Sequence, residues 1–121
     1  MIEITTPVSD EVIKQLRVGD AIEISGYILC GRDAALPRIV EMLNSKTIEN
    51  LGMDLRGQVI FHTAVSPAGV GPTSSNKLEI ENSIVPLSAA GVKIHLGKGK
   101  LKKETVEGLN RHNSIYAIMS V

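Results

Sequence analysis

Three short polar segments hold the residues of this chain that could do chemistry: Gly31-Arg32-Asp33, Gly71-Pro72-Thr73-Ser74-Ser75-Asn76-Lys77 and Gly97-Lys98-Gly99-Lys100. Glycines let a backbone come close to a ligand, while hydroxyls and the fixed charges of Arg and Lys supply donors. Together they suit a small anion held through a carboxylate or phosphate. Arg32 reads as a charge at a helix start, where it faces the positive end of the helix dipole and needs an offset, from Asp33 or from an anionic ligand. In the second segment one hydroxyl suffices to cap a helix. Three in a row, Thr73, Ser74 and Ser75, exceed that need, and with Lys77 and the amides of a helix start they offer a carboxylate site. A plain capped turn is the other reading. Lys98, between two glycines, could reach inward, or it belongs to the solvated basic run Lys98, Lys100, Lys102 and Lys103.

Other chemistries find less support. His62, His95 and His112 have no metal-ligand spacing, and His62 and His95 fall in apolar strands, as hydrogen-bonded structural residues would. No nucleophile elbow occurs, and the Gly97–Lys100 segment is too short for a phosphate-binding P-loop. No metal site is expected in this chain.

These segments must be positioned by strands and helices. Each follows an apolar stretch that reads as a strand: Ala21 to Cys30, Val59 to Ala64 (within a stretch from Gln58), and Val92 to Leu96. Ile2 to Thr6 is a further strand, closed by Pro7. Ser9 caps a short helix with Val12, Ile13 and Leu16 on its apolar face. Leu36, Ile39, Val40 and Leu43 mark a helix from Asp33 to about Lys46, with Pro37 tolerated in its first turn. Ser66 to Pro72 reads as the longest loop, and Leu78 to Ala90 as a helix broken at Pro86. A helix from Glu104 to Arg111 and a strand from Ser114 to Val121 close the chain. Alternating strands and helices predict an α/β fold with a mixed, partly parallel sheet.

At 121 residues the chain fits one domain, residues 1–121, large enough to fold without staples. Lys+Arg and Asp+Glu are both 13, and the aromatics are Tyr27, Phe61 and Tyr116 alone, which argues against nucleic acid as a partner. Cys30 is the single cysteine, so no internal disulfide forms. Its apolar neighbours predict a buried, inert thiol. No apolar run approaches a membrane span, and the N-terminus lacks the basic start of a secretory signal. A soluble, cytoplasmic protein is expected, with no membrane partner.

In their order along the chain these segments resemble the β subunit, or C-terminal domain, of class I fumarate hydratases and L-tartrate dehydratases. The resemblance rests on Ile4-Thr5-Thr6-Pro7 with Val18-Gly19-Asp20, on Gly26-Tyr27 through Arg32-Asp33-Ala34-Ala35, on Gly71-Pro72-Thr73-Ser74-Ser75, and on Gly91-Val92-Lys93 through Gly97-Lys98-Gly99. It implies a single swivelling β/β/α-type domain. It also implies a hetero-oligomer in which a partner α subunit binds a 4Fe-4S cluster through three cysteines, none being bound by this chain alone. On that pattern the substrate is a small dicarboxylate, fumarate/malate or tartrate. Thr73 would take part in proton transfer, and Arg32, Ser74, Lys77 and Lys98 would bind carboxylates. The chain departs from the family pattern at Leu36, where His is usual, at Lys77, where Arg is usual, and at Val121, where members continue.

The leading expectation is therefore the non-cluster subunit of an iron–sulfur hydro-lyase, inactive alone. A catalytically inactive binding or assembly domain of the same fold is the alternative, motivated by those departures. A phosphate-ligand binder using Thr73 to Ser75 and Gly97 to Gly99 is a third.

Overall fold

Hydrophobic alternation in two strands organises the molecule. The computed structural model describes residues 2–31, 35–46, 54–66, 69–73, 77–97 and 101–118. In β4 (Val59–Ser66), Val59 and Phe61 enter one apolar core while Ile60 enters another. In β6 (Ile94–Gly97), Ile94 and Leu96 join the first of these. Residues on a strand alternate between its faces, so the sheet containing β4 and β6 is covered on both sides. Val59, Ile60 and Ile94 have no exposed surface, and burying each such side chain contributes roughly 1.5–3 kcal/mol.

That sheet runs β3 (Leu29–Gly31), β4, β6, β7 (Ile115–Ile118), all parallel, with β5 (Gly69–Thr73) antiparallel to the far half of β4. β1 (Ile2–Thr5) and β2 (Ile22–Ser25) form a second, two-stranded parallel sheet. Ile4 of β1 and Ile13 of α1 (Asp10–Gln15) pack with Val59, Phe61, Ile94 and Leu96, with Ile22 and Ile24 of β2 beside them. On the opposite face Leu36 of α2 (Ala35–Asn44) and Leu87 of α3 (Lys77–Ala89) pack with Ile60 and Val92. Ile84 of α3 and Leu109 of α4 (Lys103–Arg111) pack with Tyr116 of β7. Small sheet, central sheet and helices form a β/β/α layering, and the α/β fold with partly parallel pairing is as expected.

Four expectations need correction. The stretch Ala21 to Cys30 is two strands in different sheets, because Gly26 turns the chain at φ +105. A Cβ there would collide with the Thr6 hydroxyl, so only glycine fits the corner. The loop from Ser66 to Pro72 is largely the strand β5. Its pairing with β4 slips by one residue between Thr63 and Val65, and such an irregular pairing accommodates the glycines and Pro72. α3 is continuous through Pro86, where burial of Ile84 and Leu87 on either side offsets the lost backbone hydrogen bond. Cys30 is exposed rather than buried, since β3 is an edge strand. Partial desolvation still pushes its thiol pKa up.

Local chemistry explains the smaller elements. Ser9 Oγ accepts the Val12 N–H at 3.4 Å and starts α1, with Asp10 and Glu11 in its positive first turn. The turn after α1 closes when the Arg17 N–H donates to Asp20 Oδ2 at 2.7 Å. Lys93 Nζ, nearly buried, meets Asp10 Oδ1 at 2.5 Å and ties α1 to the central sheet. That ammonium is the first cause holding the Asp10 carboxyl below its ordinary pKa.

Candidate functional site

The carboxyl edge of the central sheet gathers the ends of all three polar segments. β3 ends at Gly31, which pairs with His62 of β4. β6 ends at Gly97, one residue past Leu96, which pairs with Phe61. β4 runs on beyond this edge and β5 returns along it, leaving Thr73 opposite Thr63. Gly31, Thr73 and Gly97 therefore lie at or next to one stretch of β4, residues 61–63, although they are far apart in sequence. In parallel α/β sheets this is the edge where ligands bind.

Of the expected site residues, Thr73 is the last residue of β5 and Lys77 the first of α3. A positive residue opening a thirteen-residue helix stands at the positive end of its dipole, a position that an anion would stabilise. Arg32, Ser74 and Lys98 lie outside the described residues. Each is covalently next to a residue of this edge: Gly31, Thr73 and Gly97. At Gly97 a Cβ would stand 2.6 Å from Tyr116 Oη, so any side chain there would displace the Tyr116 ring.

The helix-covered face of the same edge holds a buried polar chain. His62 and His95 have no exposed surface, and their rings lie 5.5 Å apart between centroids, 24° from parallel. His62 Nε2 lies 3.3 Å from His95 Nδ1, and His95 Nε2 lies 2.8 Å from Ser88 Oγ of α3. His62 Nδ1, at the outer end, has no hydrogen-bond partner among the described residues. Burial lowers the pKa of His62 to about 4; burial first, then the neighbouring His62, lowers His95 to about 3. Both rings are neutral at pH 7. Their hydrogen-bonded, structural character follows from the apolar strands around them. Their mutual contact and the Ser88 partner do not appear in the sequence reading. The signal available was the recurrence of a histidine at the same face of two strands that pair.

Leu36 is a core residue packed with Leu55, Ile60 and Leu87. A groove of about 400 Å³ opens elsewhere, between α4 and the start of β7, lined by Val106, Leu109 and Ile115 among others. It contains none of the expected site residues. Among the described residues no helix is long and apolar enough to cross a membrane.

Comparison with known proteins places this architecture in a family. The model of the Fumarase C-terminus family matches residues 1–121, and the chain belongs to that family. It is 30% identical over 125 residues to the L(+)-tartrate dehydratase subunit beta of Escherichia coli K12, covering 95% of this chain and 59% of that protein. It is 27% identical over 126 residues to a provisionally named class I fumarate hydratase of Geobacillus stearothermophilus, covering 96% of this chain and 23% of that protein. The chain thus spans a little over half of the first relative and about a quarter of the second.

Proposed function

We propose that this chain is the non-cluster subunit of an iron–sulfur hydro-lyase that adds or removes water on a small dicarboxylate, tartrate or fumarate/malate. The observation that carries the reading is the meeting of Gly31, Thr73 and Gly97 at one sheet edge in a member of the Fumarase C-terminus family. The names of the relatives supply the reaction class: dehydration for one, hydration for the other.

The cluster belongs on a partner. One cysteine in 121 residues cannot provide three thiolates, so this chain's donor set does not suit a resident 4Fe-4S centre. Bound on the α subunit, the cluster supplies Lewis-acid chemistry at the substrate hydroxyl and carboxylate. This chain's part is recognition and proton handling. Arg32, Ser74, Lys77 and Lys98 bind the substrate carboxylates, and the backbone amides at the start of α3 add donors. Thr73 takes part in moving the proton. A threonine hydroxyl is a very weak base, so the surrounding cations must stabilise its deprotonated form.

Co-expression with a candidate subunit carrying three widely spaced cysteines tests the assembly. The expected result is a stable complex whose visible absorbance comes from the cluster, with none from this chain alone. A chain that stays free of every such subunit, or that carries a cluster by itself, would overturn the division of labour. A complex that carries its cluster yet turns over none of tartrate, fumarate or malate would favour the inactive assembly domain, for which the buried Leu36 is the supporting observation.

A further inference from the structure

A buried ring nitrogen with no partner is costly, because it has left water without gaining a hydrogen bond. Among the described residues His62 Nδ1 is such an atom. It stands at the sheet edge where β3 ends, opposite Gly31, so the neighbouring strand presents no side chain beside its ring. Its other nitrogen is committed to His95, and His95 is committed to Ser88. The three groups form one row that leads from helix α3 to the edge.

Such a row has two neutral arrangements. In one, Ser88 Oγ–H donates to His95 Nε2, His95 Nδ1–H donates to His62 Nε2, and His62 presents an Nδ1–H at the edge. In the other every bond is reversed, and His62 presents a bare lone pair. Both arrangements point their donors one way, so each bond polarises the next in either. The first alone ends in a donor, at an edge whose other groups suit an anion.

We propose that His62 is a further ligand-binding residue of this site, its Nδ1–H donating to the anionic substrate, with His95 and Ser88 as positioning residues that fix the donor tautomer. The inference rests on the hydro-lyase reading above and adds a neutral donor to the cationic ones. A neutral donor contributes orientation without adding charge. It also gives a role to the two histidines and to Ser88, which are buried beside the apolar cluster of Ile60 and Leu87.

Two measurements separate this inference from the reading beneath it. Imidazole-nitrogen NMR of the full chain, labelled with ¹⁵N-histidine and without ligand, should find the Nδ1–H tautomer on both His62 and His95. The Nε2–H tautomer on His62 overturns the inference and leaves the hydro-lyase reading standing. In the enzyme assembled with its cluster-bearing subunit, His62→Phe should raise KM about tenfold or more, the usual loss for a hydrogen bond to a charged group, while kcat changes less than about threefold. His62→Asn, which places an amide N–H near the lost Nδ1–H, should recover most of that affinity, and its melting curve controls for folding. Equal KM values for wild type and His62→Phe, or equal losses in the Phe and Asn variants, overturn the proposal. Absence of turnover in the wild-type complex rejects the hydro-lyase reading, and the ligand role of His62 with it.

Discussion

His62 and His95 take up protons near pH 6.5 only once the chain unfolds, because burial holds their folded values at about 4 and about 3. Between those limits the unfolded chain binds protons that the folded one excludes. Stability is therefore full above pH 6.5 and falls on acidification, by up to about 1.4 kcal/mol per pH unit for each ring. Asp10, whose pKa is lowered mainly by Lys93, adds a loss in the same direction below its ordinary 3.8. Urea midpoints measured from pH 7 down to pH 4.5 should drop steadily below about 6.5, and His95→Gln should flatten part of that slope. A level profile would mean that the rings are protonated in the folded chain. For the proposed chemistry, Thr73→Val should lower kcat of the assembled enzyme by at least about a hundredfold, the usual worth of a positioned proton-transfer group. Steady-state rates with either dicarboxylate check it; a variant within threefold of wild type removes Thr73 from that role. At this scale the Ser9 cap, the turn at Asp20 and the burial of both histidines were legible, since each depends on near neighbours or on strand context. The Ser88 bond was not, because it joins a helix to a strand through tertiary packing alone. Exposure of Cys30 escaped for a related reason: its apolar neighbours do not say that β3 is an edge.

Between elements, the decisive residue is Gly26. Its positive φ and the close approach of Thr6 make one corner between the small sheet and the central one. Gly26→Ala should cost about 1–3 kcal/mol, from the strained conformation and from displacing the Thr6 hydroxyl. Chemical denaturation reads that loss directly, and a variant as stable as wild type would show that the corner tolerates a side chain. Alternation through Ile22 and Ile24, followed by the apolar run Tyr27-Ile28-Leu29, made the segment look like one strand, and only the register reveals two. β5 was illegible for the opposite reason. Its Gly-Val-Gly-Pro-Thr composition carries turn signals, and pairing with the far half of β4 overrides them. Pro86 illustrates the same override in a helix, with packing of Ile84 and Leu87 outweighing local propensity. Where pattern and packing agree, as in α1, α2, α4, β6 and β7, periodicity alone located the element to within a few residues.

Across the whole molecule, the β/β/α layering brings three distant polar segments to one edge, and the order of those segments was what made the family recognisable. The layering also fixes the meaning of Leu36. It fills the core between α2 and the central sheet, so Leu36→His should destabilise the chain by a few kcal/mol, about 2–5, by burying a polar ring without an evident partner. Thermal melts of the variant check this; an unchanged melting temperature with a gain in turnover would mean instead that the site reaches Leu36. The central claim is a division of labour, and turnover of L-tartrate and fumarate by this chain alone, by the cluster-bearing subunit alone and by the two together tests it most directly. Turnover by the pair and none by either part is the expected result. Turnover by this chain alone, or none by a pair that has assembled with its cluster intact, would contradict it.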